Sequence, residues 1–418
     1  MGKKVVIVSY TFPPATGVGG RRWSKLGEQL VKKGHEVHLV TASPSSSGKY
    51  GSESWNGLTV HRIRGNYPPI LTHFDKKNLL QKINYRLAAA YMKYFTKGNI
   101  YDRSIRWGSG LQDCVSRLIG SENFTNIIAS APPYRYLFDI TSLKKKFPDL
   151  NVILDFRDPW AEHPDFHRVN MSSLPSARVK CEQDMERSAL ENADRVVAIS
   201  RTLTQSLSGF MKGYDEKFVT ITNGFDGADY AFLKNQSIPE SDGFRIVYNG
   251  SLYLKTADTN QSITNYINNN RELLLKRKVT FEFCGHIGQE NLAIFEKADK
   301  RIFKYYGVKP MNEALTILNQ ASAALFITDL GHEDIQFNTK LMDYIALRKK
   351  IFIIGPKGEV SDFITRNGIG AQFTNETIGD MLEWIMNNEK FEQLSYRNFD
   401  NSRFEFTNLA TQFESLLV

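Results

Sequence analysis

A chain of 418 residues, 41% hydrophobic and 12% aromatic, exceeds what one hydrophobic core serves, so two domains of roughly 200 residues each are expected. Its three cysteines, Cys114, Cys181 and Cys284, are odd in number and far apart, which excludes a disulfide framework and a zinc knuckle. The net charge of +8 divides into +14 over residues 1–150 and −6 over the rest, so the N-terminal half is expected to meet something acidic. Nucleic acid is set aside, because no RNA-binding or helix-turn-helix signature accompanies that charge. No window approaches about 18 uncharged apolar residues, and Met1-Gly2-Lys3-Lys4 leads into a short strand rather than a signal-peptide core, so a cytoplasmic protein is expected.

The first apolar run, Val5 to Tyr10, leads into Gly17-Val18-Gly19-Gly20-Arg21-Arg22 and then a helical stretch. A buried strand, a loop with free backbone N–H groups and a helix start make a site for anionic oxygens. Arg22 takes the third glycine's place in the dinucleotide fingerprint, and the next strand, Glu36 to Thr41, ends without the acid that holds a ribose. Nicotinamide and flavin are therefore not expected. The loop suits a turn that brings amides to a phosphate or sugar. A further strand is read at Thr59 to Arg64. Across Asp75 to Lys97, Leu80, Ile83, Leu87, Tyr91 and Tyr94 recur at three- and four-residue steps, with Lys82, Arg86, Lys93 and Lys97 as a second stripe. Two readings stand for this helix: a basic amphipathic element on an anionic membrane, or a surface helix packed on the sheet.

Strands at Asn126 to Ala131, Asn151 to Asp158, Arg195 to Ser200 and Phe218 to Asn223 complete a mainly parallel sheet covered on both faces. The run Leu154-Asp155-Phe156-Arg157-Asp158-Pro159-Trp160 ends in alternating charge. Parallel strands end at the ligand crevice, so Arg157 and Asp158 can reach a ligand; the alternative is that they pair with each other. In His163-Pro164-Asp165-Phe166-His167 two imidazoles lie four apart, but the proline and the loop context speak against a metal pair. Two readings stand for His163: a plain surface histidine, or a loop histidine that touches acceptor hydroxyls.

Residues 234–243 are polar and rich in breakers, the signature of a linker. The pattern then restarts with Phe244 to Gly250, Val279 to Gly285, Arg301 to Gly307, Ala324 to Thr328, Ile351 to Gly355 and Gly370 to Phe373. Asn338 or Thr339 reads as an N-cap, so the helix start offers free amides to phosphate oxygens while Lys340 adds charge. Asp343, one turn on, can accept from two ribose hydroxyls. Lys255 can meet a diphosphate or stand as a free surface lysine, and Cys284-Gly285-His286-Ile287-Gly288 permits close approach of a flat base. There is no Walker A sequence, nucleophile elbow, His-Glu-x-x-His or Cys-x-x-Cys, so covalent hydrolase and metalloprotease chemistry has no foothold.

Several segments together resemble the GT-B-fold glycosyltransferases of family 4, particularly bacterial enzymes that build surface polysaccharides. They are Tyr10-Thr11-Phe12-Pro13-Pro14 with the glycine loop, Gly34-His35-Glu36-Val37, Asp155 to Trp160, Glu182 to Glu191 leading into Ala193 to Ser200, Ile221 to Asp226, and Thr339 to Tyr344. The resemblance implies an α/β fold of two Rossmann-like, doubly wound domains facing a central cleft. Residues 1–228 would take the acceptor, 229–400 the nucleotide sugar, and 401–418 would form a helix near the junction. It implies retaining transfer of a sugar from a UDP- or GDP-linked donor, without metal or other cofactor, to a hydroxyl of a polysaccharide or polyprenyl-pyrophosphate-linked acceptor at the inner leaflet of the membrane. Arg157 and Asp158 would be catalytic. Gly19, Gly20, Lys255, His286, Asn338, Thr339, Lys340 and Asp343 would hold the donor, and Arg21, Arg22 and His163 would face the acceptor. The chain departs from the family in Ile335, which stands where the first of two paired carboxylates is usual, and in Gly250-Ser251, where Gly-Arg is common. The rival readings are a non-catalytic nucleotide-sugar-binding or scaffold subunit and a nucleotide-sugar 2-epimerase.

Overall fold

The computed structural model describes residues 2–15, 18–43, 51–72, 74–75, 77–161, 174–211, 213, 215–234, 243–252, 256–328 and 337–418. It divides into two units, Met1–Thr222 with Phe406–Val418, and Asn223–Glu405.

The strands of the first unit are β1 (Lys4–Ser9), β2 (Glu36–Ser43), β3 (Gly51–Trp55), β4 (Leu58–Arg64), β5 (Asn126–Ala131), β6 (Asn151–Phe156), β7 (Arg195–Ala198) and β8 (Phe218–Thr220). Its helices are α1 (Val18–Lys32), α2 (Leu79–Phe95), α3 (Gly108–Glu122), α4 (Arg135–Thr141), α5 (Ser176–Asn192) and α6 (Arg201–Gly209). The sheet runs β3-β4-β2-β1-β5-β6-β7-β8, parallel except where β3 turns back on β4. Alternation along β1 shows how both faces are covered. Val5 and Ile7 join Trp23, Leu26 and Leu30 of α1, while Val6 and Val8 join Leu111, Val115 and Leu118 of α3. β5 and β6 are buried at every position, as strands sandwiched between helix layers must be.

The second unit holds β9 (Arg245–Asn249), β10 (Thr280–Cys284), β11 (Phe303–Tyr305), β12 (Ala323–Ile327), β13 (Lys350–Ile354) and β14 (Gly370–Phe373). Its helices are α7 (Ala257–Asn269), α8 (Arg271–Lys276), α9 (Gln289–Phe295), α10 (Met311–Asn319), α11 (Thr339–Ala346), α12 (Glu359–Arg366), α13 (Met381–Met386) and α14 (Asn388–Gln393). The order β11-β10-β9-β12-β13-β14, with every pair parallel, is the doubly wound arrangement whose strand order reverses beside its first strand.

Every apolar run read as a strand is one. β3 escapes the pattern because Gly-Ser-Glu-Ser-Trp is a polar edge strand with its residues largely exposed. The polar stretch 234–243 lies almost wholly outside the described residues, and the division falls between Thr222 and Asn223. The final helix, α15 (Phe406–Glu414), packs on the first unit: the Phe413 ring meets Trp23 edge-on at 5.0 Å. Beyond it Lys3 Nζ donates to the Leu417 carbonyl at 2.7 Å, and the Val418 N–H donates to Asn126 Oδ1 at 2.8 Å. Among the described residues no helix is long and apolar enough to cross a membrane.

Candidate active site

In the first unit the carboxyl ends of β1, β5 and β6 converge where the strand order reverses. The glycine segment is not a loop at this point: helix α1 begins at Val18, so Gly19 and Gly20 lie in its first turn. Both make room for close neighbours. A Cβ on Gly20 would stand 3.2 Å from the Phe12 Cα and the Thr11 carbonyl, and one on Gly19 would collide with the Arg157 guanidinium at 2.3 Å. Arg157 is held by its Nη2, which donates to the Pro132 carbonyl at 2.7 Å, and by its backbone N–H on Ala131. Its Nε is buried without a hydrogen-bond partner among the described residues. The first turn of α1 carries no acidic residue, so the helix's positive end and the guanidinium present like charge together, an arrangement that suits an anion. Sequence spacing did not pair Gly19 with Arg157; the structure does. Asp158, next in the chain after Arg157, is half-buried.

Arg22 is a correction. The sequence placed it toward an acceptor, but it is 1% exposed and bound to Asp155, itself fully buried. Arg22 Nη2 reaches Asp155 Oδ1 at 3.0 Å and its Nε reaches Oδ2 at 3.2 Å. Trp23 Nε1 and Ser130 Oγ also donate to Asp155, at 2.9 and 2.7 Å. The rest of the Arg22 fork satisfies the carbonyls of Ile221 and Thr222. This network ties α1 to β5 and β6, and a charged side chain so placed has no face left for a substrate. Asp155 could have been found from the sequence: a carboxylate inside a strand buried on both faces must be paired. Arg21 stays half-buried on the same turn, and His163 lies outside the described residues.

The segment after Arg157 is held by acids that the sequence did not single out. Glu182 of α5 accepts from Trp160 Nε1 and from the Asn99 N–H, each at 2.7 Å, and Glu186 accepts from the Ala161 N–H at 2.7 Å. Burial foremost, with the nearby Asp102 charge, pushes the Glu182 carboxyl up to about 7. Asp102 in turn accepts from the Tyr134 and Arg135 N–H groups at the start of α4. Tyr134 stacks on Trp160 at 5.6 Å, and burial together with the Asp158 charge pushes its phenol well above the ordinary value.

In the second unit, Asn338 caps α11, its Oδ1 accepting from the Leu341 N–H at 3.1 Å. Thr339 follows as the first helical residue, half-buried. Lys340 Nζ lies 2.5 Å from the Tyr248 hydroxyl and 4.7 Å from the centre of its ring. Its stem passes so close to Gly250 that a Cβ there would meet Lys340 Cδ at 2.3 Å. Asp343 Oδ1 accepts from the Tyr230 hydroxyl at 2.5 Å. The buried Tyr344 donates to the Leu325 carbonyl at 3.0 Å and accepts from the Asn249 N–H at 3.1 Å, fixing α11 to the end of β9 and the middle of β12.

Glycines with left-handed φ follow three of these strands: Gly250 at +144°, Gly285 at +132° and Gly355 at +150°. They keep the strand ends bare of side chains: a Cβ on Gly285 would strike the Gly250 carbonyl. His286 stands exposed after β10, its carbonyl accepting from the Leu252 N–H at 2.9 Å. The structure therefore brings Asn338, Thr339, Lys340, Asp343 and Gly250 together around one helix start. Lys255 and Ile335 lie outside the described residues.

Among the described residues, Glu36, His38 and Glu122 are the group whose ligand atoms gather within 4.8 Å of one another. Glu36 opens β2, so the group sits at the amino end of the sheet, opposite Arg157, and the Lys4 ammonium stands 3.2 Å from Glu36. His61 Nε2 lies 3.1 Å from His38 Nδ1, and burial foremost pushes His61 down to about 4.

No protein-family model matches the chain, and no curated protein sequence matches it. Solved structures do. A glycosyltransferase from Rickettsia africae is 13% identical, with 99% of this chain and 97% of that one aligned and a TM-score of 0.63. Sucrose-phosphate synthase from Thermosynechococcus elongatus is 12% identical over 99% of this chain and 98% of its own, at a TM-score of 0.63. An α,α-trehalose-phosphate synthase (UDP-forming) from Burkholderia xenovorans, in complex with glucose-6-phosphate, is 9% identical over 99% and 100%, at 0.64. At these identities the likeness is one of fold, and the fold is GT-B, built of two Rossmann-like domains.

Proposed function

We propose that this chain is a nucleotide-sugar glycosyltransferase of the family 4 type, with the donor held by the second unit and the acceptor by the first. The observation that carries the reading is the start of α11. Its amino-terminal turn, Lys340 and Asp343 meet at glycine-bare strand ends in a doubly wound domain, which is where such domains take nucleotides. A nucleoside diphosphate laid there would set its phosphates on the helix amides and Lys340 and its ribose on Asp343. In the transfer, the bond from the sugar C1 to the diphosphate oxygen breaks and one from the acceptor oxygen to C1 forms, while the acceptor's proton passes to an oxygen of the leaving diphosphate. Charge accumulates on the leaving diphosphate. Fixed amide dipoles and Lys340 stabilise it there without reorganising, so no metal is required by this scheme. Arg157, poised over the first turn of α1, would meet anionic oxygens of the reacting pair, with Asp158 beside it. Retention at C1, a polysaccharide or lipid-linked acceptor and work at the inner leaflet complete the proposal.

The test is thermal unfolding with UDP, GDP, CDP, dTDP and ADP in the absence of metal. A ligand of the native state raises the midpoint, by about 2.7 kcal/mol of stabilisation at one hundred times its Kd. One nucleoside diphosphate is expected to do so, and Lys340→Ala and Asp343→Ala are each expected to abolish the shift; unchanged affinity in both removes this donor site. A second reading, a nucleotide-sugar-binding subunit without transfer, is favoured by one observation: Ile335 stands where the first of the family's two paired carboxylates is usual. Release of the nucleoside diphosphate from its sugar in the presence of acceptor separates the two readings.

A further inference from the structure

Helix α2 turns its apolar side away from the body of the first unit. Met92 is its one buried residue, whereas Leu80 is 72% exposed, Leu87 64% and Tyr94 84%. Leu79, Ile83, Tyr91 and Phe95 are open as well. At about 100° per residue, Leu80, Ile83, Leu87, Tyr91 and Tyr94 fall in one narrow stripe, and Lys82, Arg86 and Lys93 in another roughly 120° further round the axis. Lys97 follows the C-cap, and no carboxylate occurs between Lys77 and Tyr101. Monomeric proteins rarely leave an apolar row running about 25 Å in water without a use for it.

We infer that α2 is a membrane-docking element that lies in the plane of an anionic bilayer, its leucines and tyrosines in the acyl boundary and its cations at the headgroups. Charge selects this occupant. A second copy of the chain would bring the same cations and no carboxylate from its own α2, whereas an anionic lipid surface offers both an apolar layer and counter-charge. The two offset stripes are the pattern of an in-plane amphipathic helix, in which long basic side chains flank the apolar face and reach back to the interface. Tyr91, Tyr94 and Phe95 gather at the C-terminal end, where amphipathic rings suit the headgroup level. Arg106 extends the basic edge: its Nη1 donates to the Tyr91 hydroxyl at 3.1 Å and its guanidinium lies over that ring. The helix does not cross the bilayer, since no described helix is long and apolar enough. This inference deepens the membrane part of the proposed function and is independent of the transfer chemistry.

Flotation of the full chain with phosphatidylcholine vesicles, with and without about one-third phosphatidylglycerol, tests it. Binding is expected only with the anionic lipid and is expected to weaken at high salt. The Leu80→Ser, Leu87→Ser double variant should lose at least tenfold in partitioning, and Lys82→Glu, Arg86→Glu should lose about fivefold for each cation removed. All four positions are exposed, so both variants should unfold at the parent's midpoint. The nucleotide-induced thermal shift should persist in them; its absence in parent and variants alike would count against the donor site and leave the docking result standing. Equal flotation of the parent and the leucine variant overturns the inference. So does failure of the parent to float, or light scattering that shows a dimer split by the leucine substitutions.

Discussion

In the first unit, the strand ends at the order reversal are held by buried charge: Asp155 collects Arg22, Trp23 and Ser130, while Glu182 and Glu186 pin the segment after Arg157. In the second unit, the equivalent ends are cleared by glycines and braced by tyrosine hydroxyls, with one lysine and one aspartate on the helix that faces them. The two constructions fail in different ways. A charge network breaks when one member is deleted, because the partner is left buried and uncompensated. A glycine-bare surface breaks when an atom is added. Deletions should therefore unfold the first unit, and additions should blind the second.

The largest effect is expected at Asp155. Removing one partner of a buried pair costs about 3–5 kcal/mol, so Asp155→Ala and Arg22→Ala should each lower stability by that amount in denaturant unfolding. The double replacement should be less damaging than the sum of the two. A cycle with no coupling would mean that the pair does not hold α1 to β6.

Glu182 sharpens the comparison through pH. Its carboxyl is raised from 4.5 to about 7, chiefly by burial, so the folded state holds this proton more tightly than the unfolded chain does. The stability it contributes is full below about 4.5 and is lost as pH rises through about 7, a change of roughly 3 kcal/mol. Asp139, raised to about 6 mainly by burial, acts in the same direction; His61, lowered to about 4, opposes both below its ordinary value of 6.5. Above that value the Glu182 loss continues alone among the three. Glu182→Gln, neutral throughout, should gain on the parent as pH rises from about 4.5 to about 7 and hold that gain above it in paired thermal scans, and parallel profiles would refute the assignment.

Addition is tested at Gly250. Alanine at φ +144° is strained by about 1–3 kcal/mol, and its Cβ takes the place of the Lys340 stem. Gly250→Ala should therefore lower the midpoint modestly and weaken nucleoside diphosphate binding at least tenfold. Loss of stability with intact binding would show that Lys340 does not need its present path.

The chain's two doubly wound sheets were legible because parallel strands covered on both faces leave apolar runs, and these recur with helical spacers from Val5 to Phe373. β3 was not, since an exposed polar edge strand carries no such run. At the site, Asn338 as a cap could be read from local spacing, because a cap acts within one turn. Arg22 was misread for the converse reason: its partner Asp155 lies far along the chain, and periodicity places residues on faces without naming what they meet. The contact of Gly19 with Arg157 was hidden in the same way, as was the use of Glu182 and Glu186 to hold the strand's exit.

Gly19 offers the smallest change in stability and the cleanest separation of fold from function. In a helix's first turn alanine is favoured over glycine by up to about 1 kcal/mol, which would raise the midpoint slightly. The added Cβ would lie 2.3 Å from Arg157 Nη1, so the guanidinium must swing off the Pro132 carbonyl and away from the helix end. Only the far end of a flexible side chain has to move, so the fold should absorb the substitution, within about 1 kcal/mol of the parent. Sugar transfer should fall while nucleotide binding in the second unit stays at the parent's level. Arg157→Lys makes the complementary change, leaving Gly19 intact but replacing a planar fork with a point charge, and should show the same split. If Gly19→Ala transfers sugar as well as the parent, the guanidinium's position over α1 serves packing alone, and the catalytic contribution of the first unit has to be sought at Asp158.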